Sequence, residues 1–254
     1  MTKILAVATS SDAKLKGSKT GLWLSELTHF LRVIKARGWD YDIASPKGGR
    51  VPLDEKSVRK GKRGMDDPAN QEFSNDPIFQ MKLASSLECS EVNPAHYDAI
   101  YLAGGHGTMF DFRQSEHLQH LITELYSDGK YLSGVCHGVS GFVDAKDKEG
   151  NLIIRDRVVT GFSNFEDRLA GVFKEMPFLL ETELKRNGAK YVKNLLPFTR
   201  RVEADGRLIT GQNPQSAAAV GEKLVQMIGV GRTGASRSDG AHVARSEAVD
   251  RAPH

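Results

Sequence analysis

A cysteine at position 136 stands in GVCHG, Gly134 to Gly138, between an apolar run that reads as a strand and a segment that reads as a short helix. A nucleophile with glycine two residues to either side is the outline of a strand–helix elbow, here with Cys in the place that Ser holds in hydrolases of that geometry. Small neighbours allow strand and helix to approach closely around a tight turn, and the thiol then projects from the strand end. The start of the following helix and any charge-assisted donor nearby would favour thiolate. His137 adjoins the cysteine and can serve as general acid or base if its ring turns toward the site. The amide of His137 and the glycine turn AGGHGT, Ala103 to Thr108, could cradle a developing oxyanion. A lone buried Cys beside a chance His is the bland alternative; the glycines and the strand favour chemistry.

Other candidates read more weakly. AGGHGT has Phe110 where a dinucleotide loop carries its third glycine, and no Walker lysine follows, so a phosphate loop is not indicated. His117 and His120 lie three apart on one helix, but no third ligand is placed and H-E-x-x-H is absent; they read as exposed polar residues, and no metal is expected. Glu26, by spacing alone, is a first-turn acid that complements a helix dipole. The basic run RKGKRG, Arg59 to Gly64, lacks interleaved aromatics and reads as a solvated loop.

Strand and helix signals alternate around these residues. KILAVATS (Lys3 to Ser10), YDIAS (Tyr41 to Ser45), DAIYLAGG (Asp98 to Gly105), YLSGV (Tyr131 to Val135) and RVVTGF (Arg157 to Phe162) read as strands. Leu24, Leu27, Leu31 and Ile34 recur at helical spacing before Gly38. Ser115 can cap a helix carrying Leu118, Leu121, Ile122 and Leu125 that stops near Gly129. Pro177 to Asn187 reads as a helix, Arg201 to Thr210 as a hairpin around Asp205-Gly206, and Asn213-Pro214 as the capped start of a last helix. This alternation predicts an α/β fold with a mostly parallel sheet covered on both faces, whose sites gather at the C-terminal strand ends. Val51 to Pro94 is polar and turn-rich and reads as a small inserted cap. Residues 231–254 have few large apolar side chains and read as a disordered tail.

Composition excludes several classes. The chain has 254 residues and a net charge of +3, which gives no nucleic-acid or membrane footprint. No run reaches the roughly 18 apolar residues of a membrane helix. Two cysteines, Cys89 and Cys136, form no paired framework, which fits a reducing cytoplasm.

At these residues the chain resembles the ThiJ/PfpI superfamily, a branch of the class I glutamine amidotransferase-like fold, and within it the glyoxalase III and heat-shock chaperone branch. The matching pieces are TGLWLSE (Thr20 to Glu26), YDAIYLAGGHGTMFDF (Tyr97 to Phe112), GVCHG, VVTGFSNFED (Val158 to Asp167), PFLLETELKRNGAKY (Pro177 to Tyr191) and DGRLITGQNPQSA (Asp205 to Ala217). The resemblance implies a flavodoxin-like three-layer sandwich over residues 1–230, with the insertion at 51–94. It implies Cys136 as nucleophile, His137 as its acid/base partner, and Glu26 as an acid contacting the thiol. Asp167, or the neighbouring Glu166, would orient His137, and Gly104 and Gly105 would form the oxyanion turn. Relatives commonly carry proline after C-H-G, where this chain has Val139, a difference that could tune the pocket. The implied activity is conversion of a small 2-oxoaldehyde such as methylglyoxal to lactate, with no metal, cofactor or glutathione. A holding chaperone, a protein deglycase and a Cys-dependent amide hydrolase are the alternatives on the same scaffold. A homodimer is the assembly state that the resemblance implies.

Overall fold

The structure is a computed structural model that describes residues 1–62 and 64–230; the tail expected at 231–254 lies outside the described residues. Seven strands form the central sheet: β1 (Lys3–Val7), β2 (Asp40–Ser45), β3 (Leu87–Glu88), β4 (Ala99–Leu102), β5 (Tyr131–Val135), β6 (Val202–Asp205) and β7 (Leu208–Gly211), in the order β6-β7-β5-β4-β1-β2-β3. Every neighbouring pair is parallel except β6 and β7, which make the hairpin expected around Asp205-Gly206. The central strands are short unbroken apolar runs because both of their faces are covered.

Alternation along β4 shows how the faces are covered. Tyr101 points to one face, where its ring stacks on Phe30 of α1 (Leu24–Ala36) with centroids 3.5 Å apart. Leu102 points to the other face and meets Ile122 of α4 (Glu116–Ser127) around Gly141. Gly38 and Gly129, both at positive φ, end these two helices. Ser115 caps α4 by accepting the Leu118 N–H, as its position predicts. A last helix over 217–230 packs on α1, its Gly221 set against Phe30 and Val33. No helix among the described residues is long and apolar enough to cross a membrane.

The inserted segment is more integrated than a cap. It carries α2 (Pro68–Ser74) and α3 (Pro77–Ala84), each opened by an Asp cap and a proline, and it delivers the edge strand β3. Phe73, Phe79 and Leu83 join the core. The expected fifth strand is a correction. Val158–Val159 pairs with Lys190–Tyr191 in a separate ladder, because β6 already holds the sheet edge and Asp205 takes the Val158 N–H on its carboxylate. Two helices remain near the site: α5 (Asn164–Ala170) and α6 (Leu180–Arg186). The latter starts three residues later than Pro177 suggests, since Leu179 is still extended. Asn213 does not cap the last helix through its side chain. Its amide nitrogen donates instead to Glu166 and to the Thr199 carbonyl, and a 3-10 turn, Pro214–Ser216, intervenes.

Register places the chemistry. Leu102 lies opposite Gly134, so the chain leaves β4 at Ala103-Gly104 beside the point where it leaves β5 at Cys136. The turn after β5 presses onto the end of β4: a Cβ at Gly138 would sit 2.9 Å from the Leu102 carbonyl carbon. Gly138→Ala is therefore expected to cost about 1–3 kcal/mol by overpacking, read as a lower urea midpoint with an unchanged slope.

Candidate active site

β5 ends in an extended Val135, and Cys136 follows at φ 56°, in the left-handed region. A non-glycine residue there is strained, and such strain gathers at functional turns. The segment that follows, Cys136–Phe142, is a 3-10 helix and not an α-helix. Cys136 is 3% exposed and forms part of the wall of a cavity of about 620 Å³ that also meets Trp23, His106, His137, Phe162 and Phe198.

Glu26 comes to the thiol from the first turn of α1. Its Oε2 accepts the Gly104 N–H at 3.0 Å. Oε1 is buried without a conventional hydrogen bond, and the carboxyl interacts with the Cys136 thiol. Gly104 makes this approach possible, because a Cβ there would lie against Glu26 Oε2 and 2.6 Å from the Val135 carbonyl oxygen. Burial pushes the Glu26 carboxyl well above the usual carboxylate range, and the thiol and the Gly104 amide only partly oppose it. Glu26 is thus a neutral acid able to donate a hydrogen bond.

The expected bias toward thiolate is corrected in one respect. Burial pushes the Cys136 thiol up, and an ionised Glu26 would push it further; the His137 backbone N–H pulls it down. A protonated Glu26 removes the repulsion and leaves burial as the main cost of ionisation. Gly104 is also corrected as an oxyanion donor, since its amide is taken by Glu26. Gly105 stays on the cavity wall.

The imidazole of His137 bridges the thiol and a carboxylate. Its Nδ1 lies 3.5 Å from Cys136 Sγ and its Nε2 3.0 Å from Asp167 Oδ1. Burial disfavours the charge on Asp167, but the imidazoles of His137 and His106 outweigh it and hold the carboxyl well below its usual range. Glu166, the alternative, faces away. It accepts hydrogen bonds from Ser163 N and Oγ, Phe198 N, Gln212 Nε2 and Asn213 Nδ2, and with Ser163 it forms a capping box for α5.

His106 is a site residue that local sequence pattern does not single out. Its ring lies 4.5 Å from that of His137, its Nε2 is 3.7 Å from Asp167 Oδ1, and burial beside His137 pushes its pKa down. It stands inside AGGHGT, whose glycines direct attention to backbone amides rather than to the ring. Ligand atoms of His106, His137 and Asp167 lie within 4.8 Å of one another, a spacing that could hold a divalent ion. Within the cluster His137 Nε2 and Asp167 Oδ1 are hydrogen-bonded, whereas His106 Nε2 and Asp167 Oδ2 are buried without a hydrogen-bond partner. His117 and His120 are exposed, as expected. Cys89 is buried with its thiol pushed up to about 12 by desolvation, which makes it inert. Val139 is fully buried against Gly161 and does not line the cavity, so it does not shape the pocket directly.

Residues 19–227 match the DJ-1/PfpI family. The chain belongs to that family. It is 31% identical over 236 residues to Glyoxalase 3 of Candida albicans, covering 89% of this chain and 98% of that protein. It is 30% identical to the glutathione-independent glyoxalase HSP31 of Saccharomyces cerevisiae, covering 89% of this chain and 97% of the relative. Among solved structures, the Rapid Encystment Protein 24 kDa of Francisella tularensis is 38% identical with a TM-score of 0.84, covering 89% of this chain and 98% of that one. The flavodoxin-like α/β fold expected from the sequence is that of the DJ-1/PfpI family.

The raised pKa of Glu26 has a sign that can be tested. An unfolded Glu ionises near 4.3, while the folded protein keeps the proton to higher pH. The parent therefore loses stability as pH rises from that value toward the folded pKa. Glu26→Gln cannot ionise and escapes this loss. Urea unfolding should show the variant gaining on the parent between about pH 4 and pH 7.5, and an equal difference at both pH values would contradict a protonated Glu26.

Proposed function

We propose that the protein is a glutathione-independent glyoxalase that converts methylglyoxal and related 2-oxoaldehydes to 2-hydroxy acids. Cys136, His137, Asp167 and Glu26 are its working residues. The observation that carries this reading is the relay from Cys136 Sγ through His137, at 3.5 Å, to Asp167, at 3.0 Å, with Glu26 on the other side of the thiol.

Cys136 sulfur adds to the aldehyde carbon, its proton passes to the carbonyl oxygen, and a hemithioacetal forms. His137, oriented by the ionised Asp167, takes the C1 proton. The enediol that results is reprotonated at C2, so C1 is oxidised and C2 reduced within one molecule. Water then cleaves the thioester at C1 and releases lactate and the thiol. Overall, methylglyoxal and one water give lactate. Glu26 supplies a hydrogen bond to sulfur when it carries negative charge, replacing the solvation that burial removes. In this reading the amide of Gly105, which lines the cavity, receives the carbonyl oxygen. The compartment and assembly consistent with this reading are the cytoplasm and a homodimer.

Lactate formation from methylglyoxal in the absence of glutathione tests the proposal. Cys136→Ala should abolish it, and Asp167→Asn should lower kcat by about 10²–10⁴-fold by releasing the His137 ring. Parental turnover by Cys136→Ala would overturn the reading.

A further inference from the structure

The cavity is larger and more cationic than methylglyoxal requires. Its volume of about 620 Å³ falls among pockets of about 300–1,000 Å³ that enclose drug-sized ligands. Its mouth is lined by Lys56, Arg59, Lys60 and Lys62. All four are exposed, and none is ion-paired among the described residues. Two acids, Glu26 and Asp67, also line the cavity. Glu26 holds its proton. Asp67 spends Oδ1 on the Ala69 and Asn70 N–H groups, and both of its oxygens lie 3.0 Å from His29 Nε2. Phe162, Phe198 and Pro214 give the cavity apolar lining as well.

The basic segment is fixed to the catalytic frame. Ser57 Oγ accepts the N–H of Leu24, two residues before Glu26, and donates to the Asp54 carbonyl. Asp54, buried, accepts the Thr20 hydroxyl at 2.9 Å. At the other end Asn70 Nδ2 donates to the Gly64 carbonyl. The run that composition alone assigns to solvent is thus held beside the cavity that contains Cys136.

We infer that the site takes an anionic carbonyl substrate: a 2-oxoaldehyde with a phosphate ester or carboxylate remote from the reacting aldehyde. The aldehyde reaches Cys136 while the anion rests among the four cations, whose combined field raises its local concentration. This deepens the 2-oxoaldehyde reading and rests on it. The covalent steps and their balance are those given for methylglyoxal, with the anionic group a spectator.

The decisive comparison uses two alkylating agents of similar size, anionic iodoacetate and neutral iodoacetamide, with modification of Cys136 followed by mass spectrometry. The iodoacetate-to-iodoacetamide rate ratio should fall roughly tenfold in Lys56→Gln/Arg59→Gln/Lys60→Gln/Lys62→Gln. It should fall similarly for the parent in about 1 M KCl, where the Debye length is about 3 Å. The salt series needs no variant and decides the matter if the quadruple variant fails to fold. A ratio that moves less than about twofold under either change overturns the inference. Protection of Cys136 by inorganic phosphate but not acetate assigns the mouth to phosphate esters, and the reverse assigns it to carboxylates. In turnover, 2-oxo-3-phosphooxypropanal should exceed methylglyoxal in kcat/KM, with the excess lost in the variant. If neither aldehyde is converted, the glyoxalase reading falls, and the alkylation ratio alone upholds or overturns the anionic mouth.

Discussion

The contact on which the site depends is the buried carboxyl of Glu26, held between the Gly104 N–H and the Cys136 thiol. It joins three separate pieces of chain: the first turn of α1, the exit of β4 and the elbow after β5. The same joint is tied in two further places. The Trp23 N–H donates to the Gly104 carbonyl at 3.1 Å, and the Tyr101 hydroxyl donates to the Glu26 carbonyl at 2.6 Å. Helix and sheet are therefore registered by directional bonds as well as by the Phe30–Tyr101 stack. An ionised carboxylate at this depth would cost several kcal/mol, so the proton on Glu26 is a condition of the packing as much as of the chemistry.

From that condition follows a division of charge across the site. On one side of the thiol lies a neutral acid; on the other, His137 leads to Asp167, which two imidazoles hold ionised. Two carboxyl groups on one fold are driven to opposite protonation states by their surroundings, one by desolvation and one by cationic or hydrogen-bonding neighbours. Glu166, next in sequence to Asp167, does neither task. Five donors converge on it, and it fastens α5 to the Phe198 loop and to the approach to the last helix. Its removal would loosen the element that presents Asp167, so adjacent carboxylates serve position and chemistry separately.

What was legible in the sequence was what local pattern dictates. The elbow could be read because glycines at 134 and 138 are required by its own close approach, and the parallel sheet could be read because its strands are uninterrupted apolar runs. Glu26 could not be read this way. Its i, i+4 neighbours describe an ordinary amphipathic helix, and only the tertiary meeting of α1 with Gly104 makes it distinctive; resemblance to a family supplied it instead. His106 was hidden because its motif was judged by its glycines, although a histidine between glycines on a strand-end turn beside the nucleophile was itself a signal. Val158–Val159 has strand composition, yet it pairs outside the main sheet because a distant carboxylate, Asp205, claims its N–H. Such competition between remote partners leaves no trace in local periodicity.

The basic run from Arg59 shows the same limit for charge. A net charge of +3 over 254 residues states that the surface as a whole is nearly balanced, and for binding to an extended polyanion that balance is the relevant quantity. A small ligand senses only the charges within about a Debye length of its path, about 8 Å at physiological ionic strength. Over that distance the average over the chain is irrelevant; what counts is that four cations share one cavity mouth with two acids, one held protonated by burial and one hydrogen-bonded to His29 and the start of α2, so that positive charge is in excess. The absence of interleaved aromatics in RKGKRG was a sound reason to set aside nucleic acid, but it does not bear on a substrate whose apolar contacts would come from Phe162 and Phe198, far away in sequence. The fold supplies the aromatic wall and the basic wall from different segments, so their joint meaning exists only in three dimensions.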